Sequence, residues 1–269
     1  MKINLPNKIT LKQEQNWENL FGYLISSHEG IAWYGIWTTY SPEKKVLKSY
    51  QGIREFCATE PTVITHTNKY TYADESKEQK TWKINKQSCN QPDGLVHPAL
   101  PAMRSLSFGQ GATAGVSKIL EKGNKFGVEL FFRYQDWRSS IVIIYEEDGN
   151  LARITHIREH RGSFPSTPGS EVKNITGMWL GSTQEMTPDL IISAAAETIL
   201  VPPSESQNKT IFFPDGVVLH VPQAVQVGEE FALIAGKFVS NHEYKQLTAK
   251  YDKSGAFKAL ISETFQLQS

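Results

Sequence analysis

The spacing of apolar residues changes abruptly at Gly30. Before it, four apolar residues follow the i, i+3, i+4, i+7 spacing of an amphipathic helix, namely Trp17, Leu20, Phe21 and Leu24. Start and stop signals at Thr10 and Gly30 bound this helix. After Gly30, β-branched and aromatic residues alternate with polar ones between Gly, Asn, Asp and Pro turns. The pattern predicts one helix followed by strands.

The alternating runs form two series. The first series comprises Ala32–Tyr40, Val46–Ala58, Val63–Tyr72, Thr81–Lys86, Met103–Phe108, Phe126–Gln135, Ile141–Glu147 and Leu151–His160. The second comprises Met178–Thr187, Leu190–Val201, Thr210–Phe213, Val217–Val221, Phe231–Ser240, Tyr244–Asp252 and Phe257–Gln266. Asp148-Gly149 gives an explicit hairpin turn. No comparable helices separate the strands, so antiparallel meanders or barrels are favoured over parallel folds.

A Pro-, Gly- and Ser-rich segment lies between the two series. It predicts a linker at 163–174 between an N-terminal unit at 1–162 and a smaller C-terminal unit at 175–269. A Gly-x-Trp motif opens each series, ending at Trp37 and at Trp179, where Gly permits an entry bend and Trp closes one barrel end. The second unit has fewer strands than a closed eight-stranded barrel. It is therefore open, flattened, or completed by packing on the first.

Composition and charge narrow the classes of partner. The chain has 28 Lys+Arg and 28 Asp+Glu, which gives no cationic surplus for nucleic acid or an anionic membrane. The most apolar stretch, Leu190 to Val201, contains Glu197 and is too short to span a bilayer. Pro6 and scattered polar residues replace the apolar core of a secretory signal. With only Cys57 and Cys89, we expect reduced thiols and a cytoplasmic protein.

The strand Val63–Tyr72 carries the first candidate site. Alternation places His66, Asn68, Tyr70 and Tyr72 on one face. A cup-like barrel that binds a conjugated ligand needs aromatic walls and a few directed polar groups, which this face supplies. The alternative is a solvent-facing aromatic ladder that pairs across strands.

The strand Phe126–Gln135 carries the second candidate site. Glu129, Phe131 and Arg133 share one face, and the apolar residues on the other face are expected to contact a core. Together with Arg104 and Arg138, Arg133 is suited to clamp a ligand carboxylate through bidentate guanidinium contacts. The alternative is that Glu129 and Arg133 pair with neighbouring strands at the surface.

The segment CNQPDGLVHP brings Cys89, Asp93 and His97 close together in sequence. The spacing lacks the paired ligands of a zinc site, and no third residue orients a Cys–His pair. The QPDG sequence predicts a turn in which Asn90 and Asp93 satisfy backbone groups. Asn90, Asp93 and His97 are also placed to line the rim of a barrel mouth.

Three further features of the sequence do not predict a catalytic or nucleotide site. The glycines in FGQGATAGVSKIL follow neither the dinucleotide nor the P-loop pattern, so they predict a bend rather than a nucleotide site. No G-x-S-x-G elbow of a serine hydrolase is present in the sequence. The basic run at His156–Arg161 is interpreted as a solvated strand end.

Five segments carry a family resemblance: WYGIWTTYSP, SYQGIREF, HTNKYTYAD, CNQPDGLVHP and GVELFFRYQDWRSSIVIIY. Together they resemble a cyanobacterial domain-of-unknown-function family whose members look like tandem calycins, the lipocalin-like antiparallel barrels. The resemblance covers most of Trp33 to Arg161, with a weaker trace through FFPDGVVLHVP and LTAKYDKSGAF. It implies a fold and no activity. More distantly, calycin folds occur in bilin lyases, which hold an open-chain tetrapyrrole while it is attached to a phycobiliprotein.

The expected fold is all-β, with two lipocalin-like (calycin) antiparallel β-barrels in tandem after a short N-terminal helix. We expect a non-enzymatic protein whose N-terminal barrel binds a small apolar or conjugated ligand, tetrapyrrole-like or carotenoid-like. The alternatives are a bilin lyase or chaperone with a phycobiliprotein partner, and an interaction scaffold with filled barrels. We assign no catalytic residue and no metal site. The candidate ligand-binding residues are His66, Asn68, Tyr70, Tyr72, Asn90, Asp93, His97, Arg104, Glu129, Phe131 and Arg133.

Overall fold

The computed structural model describes residues 10–27, 30–109, 111–169, 171–172, 174–201 and 208–268. Residues 1–9, on which the expectation about a secretory signal rests, lie outside these ranges, as do Gln110 of the glycine segment and residues 170 and 173 of the predicted linker. The elements are α1 (Leu11–Ser27), β1 (Ile31–Tyr40), β2 (Val46–Glu60), β3 (Val63–Thr71), β4 (Lys77–Asn85), α2 (Lys86–Cys89), β5 (Asn90–Gln91), β6 (Gly94–His97), β7 (Leu100–Gly109), β8 (Ala112–Ser117), β9 (Phe126–Tyr134), β10 (Trp137–Tyr145), β11 (Leu151–Arg161), β12 (Trp179–Met186), β13 (Ala196–Ile199), β14 (Asn208–Phe213), β15 (Val217–Pro222), β16 (Phe231–Phe238), β17 (Glu243–Tyr251) and β18 (Phe257–Leu267).

The first sheet contains eleven antiparallel strands in the order β4-β3-β2-β1-β11-β10-β9-β8-β7-β6-β5. Each strand pairs with the next one along the chain except at β4 and β5, and β11 returns to pair with β1. The two edge strands, β4 and β5, are joined by the short helix α2. The sheet therefore nearly closes into a barrel. The predicted all-β class with an N-terminal helix is confirmed.

Helix α1 packs against the inside of this sheet. It begins with a reciprocal cap in which the Gln13 amide donates to Thr10 Oγ1 and the Thr10 amide donates to Gln13 Oε1. Its apolar face packs on residues of β1, β3, β4 and β6; the buried members of this cluster are Trp17, Phe21, Leu24, Ile31, Trp33, Ile64, Ile84, Cys89 and Leu95. The side chains of Asn16 and Asn19 donate to the carbonyl oxygens of Ser105 and Ser107 in β7. The predicted helix is confirmed, and it contacts β2 on one side and β5, β6 and β7 on the other.

The second sheet contains seven antiparallel strands in the order β13-β12-β18-β17-β16-β15-β14. Its apolar face shares one buried cluster with the outward face of β8 to β11; members include Val116, Val128, Leu130, Ile143, Leu219, Leu233, Leu247 and Leu260. Two buried tyrosines join the sheets, since Tyr145 donates to the Pro222 carbonyl at 2.9 Å and Tyr251 donates to the Ser117 carbonyl at 3.0 Å. The apolar residues of β9 therefore contact a core between the sheets, whereas the opposite face of β9 lines the interior of the first sheet.

Three local predictions differ from the structure. The run His156–Arg161, interpreted as a solvated strand end, is buried from His156 to Glu159. The run Leu190–Val201 forms only the short strand β13, because a tight turn at Thr187–Ile191 gives Leu190 a φ of 64°. Gly35 does not bend the chain. It pairs with Gly52 in the middle of the sheet, and the ring of Trp37 lies across both glycines. A Cβ on Gly35 would lie 2.8 Å from that ring, so glycine is required here by close packing.

Candidate functional site

A cavity of about 930 Å³ lies between α1 and the inward face of the first sheet. This volume is near the upper end of the range for small-molecule sites, roughly 300–1,000 Å³. The side chains that carry the site's chemistry come from seven strands: Trp33 of β1, Arg54 and Phe56 of β2, His66, Asn68 and Tyr70 of β3, Trp82 of β4, His97 of β6, Glu129, Phe131 and Arg133 of β9, and Arg138 of β10. Strands β6, β7 and β8 and the inner face of α1 also contribute to the lining.

One side of the cavity is an aromatic wall formed by Phe56, His66 and Trp82. The register of β2, β3 and β4 places these three residues directly opposite one another. Phe56 and His66 stack with ring centroids 4.3 Å apart at 12°, and Trp82 lies 5.2 Å from His66. Such a wall offers ring faces to a flat apolar or conjugated ligand.

A charged cluster of Arg54, Glu129, Arg138 and Glu159 lies next to this wall. The carboxylate of Glu159 is fully buried and accepts two hydrogen bonds from Arg138, at 2.6 and 3.0 Å. Arg54 pairs with Glu129 at 3.2 Å and with Glu159 at 3.3 Å. Burial opposes the charged form of Arg54, but Glu159 and Glu129 outweigh it and raise the pKa of its guanidinium. The cluster holds two cations and two anions and is neutral as a unit.

Arg133 is different, because none of the described carboxylates lies within ion-pair distance of it. Its guanidinium lies 5.0 Å from the ring of Tyr23 in α1 and 5.4 Å from the ring of Trp33. Its Nε donates a long hydrogen bond of 3.5 Å to the Gln135 carbonyl. The backbone of Arg133 is fixed by the β7–β8 turn, where the Arg133 amide donates to the Gly111 carbonyl at 3.0 Å. A half-buried cation thus faces the cavity with its charge not neutralised by a neighbour in the described part of the chain.

Four polar side chains form a continuous chain of hydrogen bonds along the cavity, which we call the relay. His97 Nε2 lies 2.9 Å from His66 Nδ1, and His66 Nε2 lies 2.9 Å from Asn68 Oδ1. Asn68 Nδ2 donates to the Tyr70 hydroxyl at 2.8 Å. Burial lowers the pKa of His66 to about 3 and that of His97 to about 4, so both imidazoles are neutral near pH 7.

The structure divides the sequence-derived candidates into two groups. One group lines the cavity: His66, Asn68, Tyr70, His97, Glu129, Phe131 and Arg133. The other group lies outside the lining: Tyr72, Asn90, Asp93 and Arg104. Assignment of the first group to ligand binding stays a prediction, and the polar atoms of the second group are engaged elsewhere.

Each residue of the second group has a protein partner. Asn90 is buried, and its side chain donates to the Gln13 carbonyl of α1 at 2.9 Å. Asp93 forms ion pairs of 2.7 Å with both Arg104 and Lys118. The Tyr72 hydroxyl donates to Glu78 at 2.6 Å, which raises the pKa of this tyrosine to about 12. The predicted turn at QPDG is present, and its polar side chains bind protein groups rather than the cavity.

Sequence reasoning missed several lining residues. Arg54 and Phe56 alternate in β2 in the same way as the candidates in β3, so the same period-two signal would have found them. In the sequence, Trp33 and Trp82 are recognisable only as aromatic residues within predicted strands, which does not mark them as cavity residues. The contribution of α1, including Tyr23, depends on packing across the opening of the sheet and has no signal in the local pattern.

Two negative findings concern other kinds of site. In the described ranges, no group of three or more His, Cys, Asp and Glu side chains is arranged to hold a metal ion. His97 contacts His66 and the Ala99 amide, and the free thiol of Cys89 is buried in the cluster beneath α1. The same ranges hold no helix of the length and apolarity needed to cross a bilayer.

Comparison with known proteins identifies relatives by family and by fold. Residues 13–164 match the N-terminal domain of a domain of unknown function, DUF3598. A crystal structure of a protein of unknown function from the DUF3598 family of Nostoc punctiforme superposes with a TM-score of 0.72 at 16% identity, covering 94% of this chain and 99% of that one. A putative thioesterase II from Thermobifida fusca aligns with a TM-score of 0.16 at 11% identity over 93% of this chain and 85% of that one. This score is too low to indicate a shared fold. No curated protein matches the sequence.

Proposed function

This chain belongs to the DUF3598 family, and we propose that it binds an apolar or conjugated carboxylic acid in the cavity of its first sheet. The observation that carries the proposal is Arg133, a half-buried cation without a described carboxylate partner, inside a cavity with aromatic walls. A buried charge is costly unless it is paired. A ligand carboxylate would neutralise Arg133 while its apolar body displaces water from the wall.

The charges within the cluster of Arg54, Glu129, Arg138 and Glu159 cancel, which supports assigning the ligand carboxylate to Arg133. The guanidinium groups of Arg54 and Arg138 are held by Glu129 and Glu159, and Arg104 is held by Asp93. Lys80, another cation in the lining, pairs with Glu78 at 2.8 Å. Of the carboxylate-clamping arginines expected from the sequence, Arg133 is the one whose charge remains available.

The volume of the cavity bears on the alternative functions. If the protein were an interaction scaffold with filled barrels, it would lack any cavity of about 300 Å³ or more. The cavity in the first sheet measures about 930 Å³. A bilin is one conjugated carboxylic acid that fits the proposed class. No contact within the described residues specifically favours lyase chemistry or docking of a phycobiliprotein.

A matched pair of ligands tests the proposal. Retinoic acid and retinol share one conjugated body and differ at the carboxylate, and their binding is followed by quenching of tryptophan fluorescence. Charge-assisted hydrogen bonds contribute about 1.5–3 kcal/mol, or about 10- to 150-fold in affinity. We therefore expect the acid to bind more tightly than the alcohol by a factor in this range, and R133Q to remove most of the difference.

The control is R153Q. Arg153 is 43% exposed, pairs with Glu146 at 3.6 Å, and lies outside the cavity lining. Its removal should leave the preference for the acid intact. Equal affinity of the wild-type protein for acid and alcohol, or absence of saturable binding of both, contradicts the proposal. A separate titration with phycocyanobilin tests a bilin ligand, which is rejected if the absorption spectrum of the pigment does not change.

A further inference from the structure

The relay has a direction that is fixed by one backbone group. The Ala99 amide donates to His97 Nδ1 at 3.1 Å, so this nitrogen carries no proton. In the neutral imidazole the proton is then on Nε2, which donates to His66 Nδ1. His66 in turn carries its proton on Nε2 and donates to Asn68 Oδ1. Each step leaves only one arrangement for the next.

The end of the relay is the Tyr70 hydroxyl. Asn68 uses its oxygen to accept from His66, so its amino group must donate to Tyr70 Oη. The tyrosine oxygen accepts this hydrogen bond, which leaves its own proton to be donated. No acceptor for that proton is found among the described residues, and Tyr70 lines the cavity. The nearby Arg54 is a cation and cannot accept it.

The surroundings keep this hydroxyl protonated. Burial raises the pKa of Tyr70, an effect that Arg54 and the Asn68 hydrogen bond only partly oppose. The ring is held in place by edge contacts with Trp37 at 5.9 Å and Tyr50 at 5.8 Å. Tyr70 is therefore a rigid, neutral donor rather than a mobile or anionic group.

We propose that the Tyr70 hydroxyl donates a hydrogen bond to a neutral carbonyl oxygen of the ligand, and that the His97–His66–Asn68 relay acts by orienting this donor. The inference rests on the proposed function and narrows it. The ligand carries two recognition groups, a carboxylate for Arg133 and a separate ketone or amide carbonyl for Tyr70. A ligand that offers only an N–H donor at this point would face another donor, which weakens binding.

The dye DANCA provides a suitable probe. It is a naphthyl ketone with a cyclohexane carboxylate, and its emission moves to longer wavelength when the ketone oxygen accepts a hydrogen bond. We expect the bound dye to emit at longer wavelength in the wild-type protein than in Y70F. We also expect Y70F to bind it roughly 2- to 10-fold more weakly, the usual effect of one neutral hydrogen bond. Y72F is the matched control, because Tyr72 donates to Glu78 and lies outside the lining.

A second variant tests the direction of the relay while keeping the hydroxyl. In N68D the carboxylate accepts from both His66 and Tyr70, so the tyrosine proton turns away from the cavity. This variant should lose the emission shift as Y70F does, although Tyr70 is present. The circular dichroism of all variants should match that of the wild-type protein.

The outcomes separate this inference from the proposed function. Identical bound-state emission in the wild-type protein and Y70F overturns the role of Tyr70, while binding that still depends on Arg133 leaves the proposed function standing. Emission in N68D equal to that of the wild-type protein overturns the orienting role of the relay. Absence of saturable binding of both DANCA and retinoic acid contradicts the proposed function and, with it, this inference.

Discussion

Glu159 gives the strongest single prediction about stability. Its side chain is fully buried and holds two guanidinium groups, through two hydrogen bonds from Arg138 and an ion pair of 3.3 Å with Arg54. The variant E159Q keeps the shape of the side chain and removes its charge. Two cations then share a buried region with only Glu129 as counter-charge. Breaking a buried ion pair on one side costs about 3–5 kcal/mol.

Urea unfolding followed by tryptophan fluorescence near pH 7 measures this loss. We expect the free energy of unfolding to fall by about 3 kcal/mol for E159Q. This value is the lower end of the range, because glutamine still accepts hydrogen bonds. The control is E146Q, since Glu146 is 40% exposed and pairs with Lys125 at the surface. Exposed pairs contribute about 0–1 kcal/mol. A loss of less than about 1 kcal/mol in E159Q would contradict this expectation, because it would mean that water in the cavity solvates both guanidinium groups.

Three further predictions concern packing and pH. G52A should destabilise the fold by about 1–3 kcal/mol, because its Cβ overlaps the ring of Trp37, whereas G115A meets only ordinary contacts and should change the free energy of unfolding by less than about 0.5 kcal/mol. Equal urea midpoints for the two variants would contradict this packing. W179A should cost about 3–5 kcal/mol in urea unfolding, since Trp179 is buried in the second sheet, and a near-neutral effect would contradict a packed core there. Burial lowers the pKa of His156 to about 3, so as pH falls from about 6.5 the unfolded chain binds a proton that the folded chain does not. The free energy of unfolding then decreases by up to about 1.4 kcal/mol per pH unit down to about pH 3, and urea titrations near pH 7 and pH 5 should show a smaller decrease in H156Q; equal decreases would contradict the assignment.

Alternation along single strands was the part of the site that the sequence could predict. The side-chain period of a strand is a local property, so His66, Asn68 and Tyr70 could be placed on one face without knowing their neighbours. The same argument separated Arg133 from the apolar residues of β9. The structure places both of these polar faces toward the same cavity.

Contacts between distant strands could not be predicted in this way. The stacking of Phe56 and Trp82 around His66 depends on the register of three strands, which a single sequence does not specify. The pairing of Arg104 with Asp93, which removes both from the site, depends on the geometry of the β6–β7 hairpin. The closure of the first sheet by α1 likewise requires knowledge of where the sheet opens.

The second sheet shows the same limit at the level of the fold. The sequence predicts fewer strands there than a closed eight-stranded barrel needs, which indicated a sheet that is open, flattened, or completed by packing on the first sheet. The structure shows that this sheet shares a core with β8 to β11. The predicted division at 162/163 and 174/175 falls between β11 and β12. The division into two units stays a prediction, and one buried cluster joins residues of both sheets.

A crystal structure with a bromine-labelled naphthalene carboxylic acid, located by anomalous scattering, tests whether the cavity binds a carboxylic acid through Arg133. We expect the bromine beside the aromatic wall of Phe56, His66 and Trp82, with the carboxylate within hydrogen-bond distance of the Arg133 guanidinium. A bromine site between the two sheets or on the surface, or a carboxylate directed away from Arg133, would contradict it.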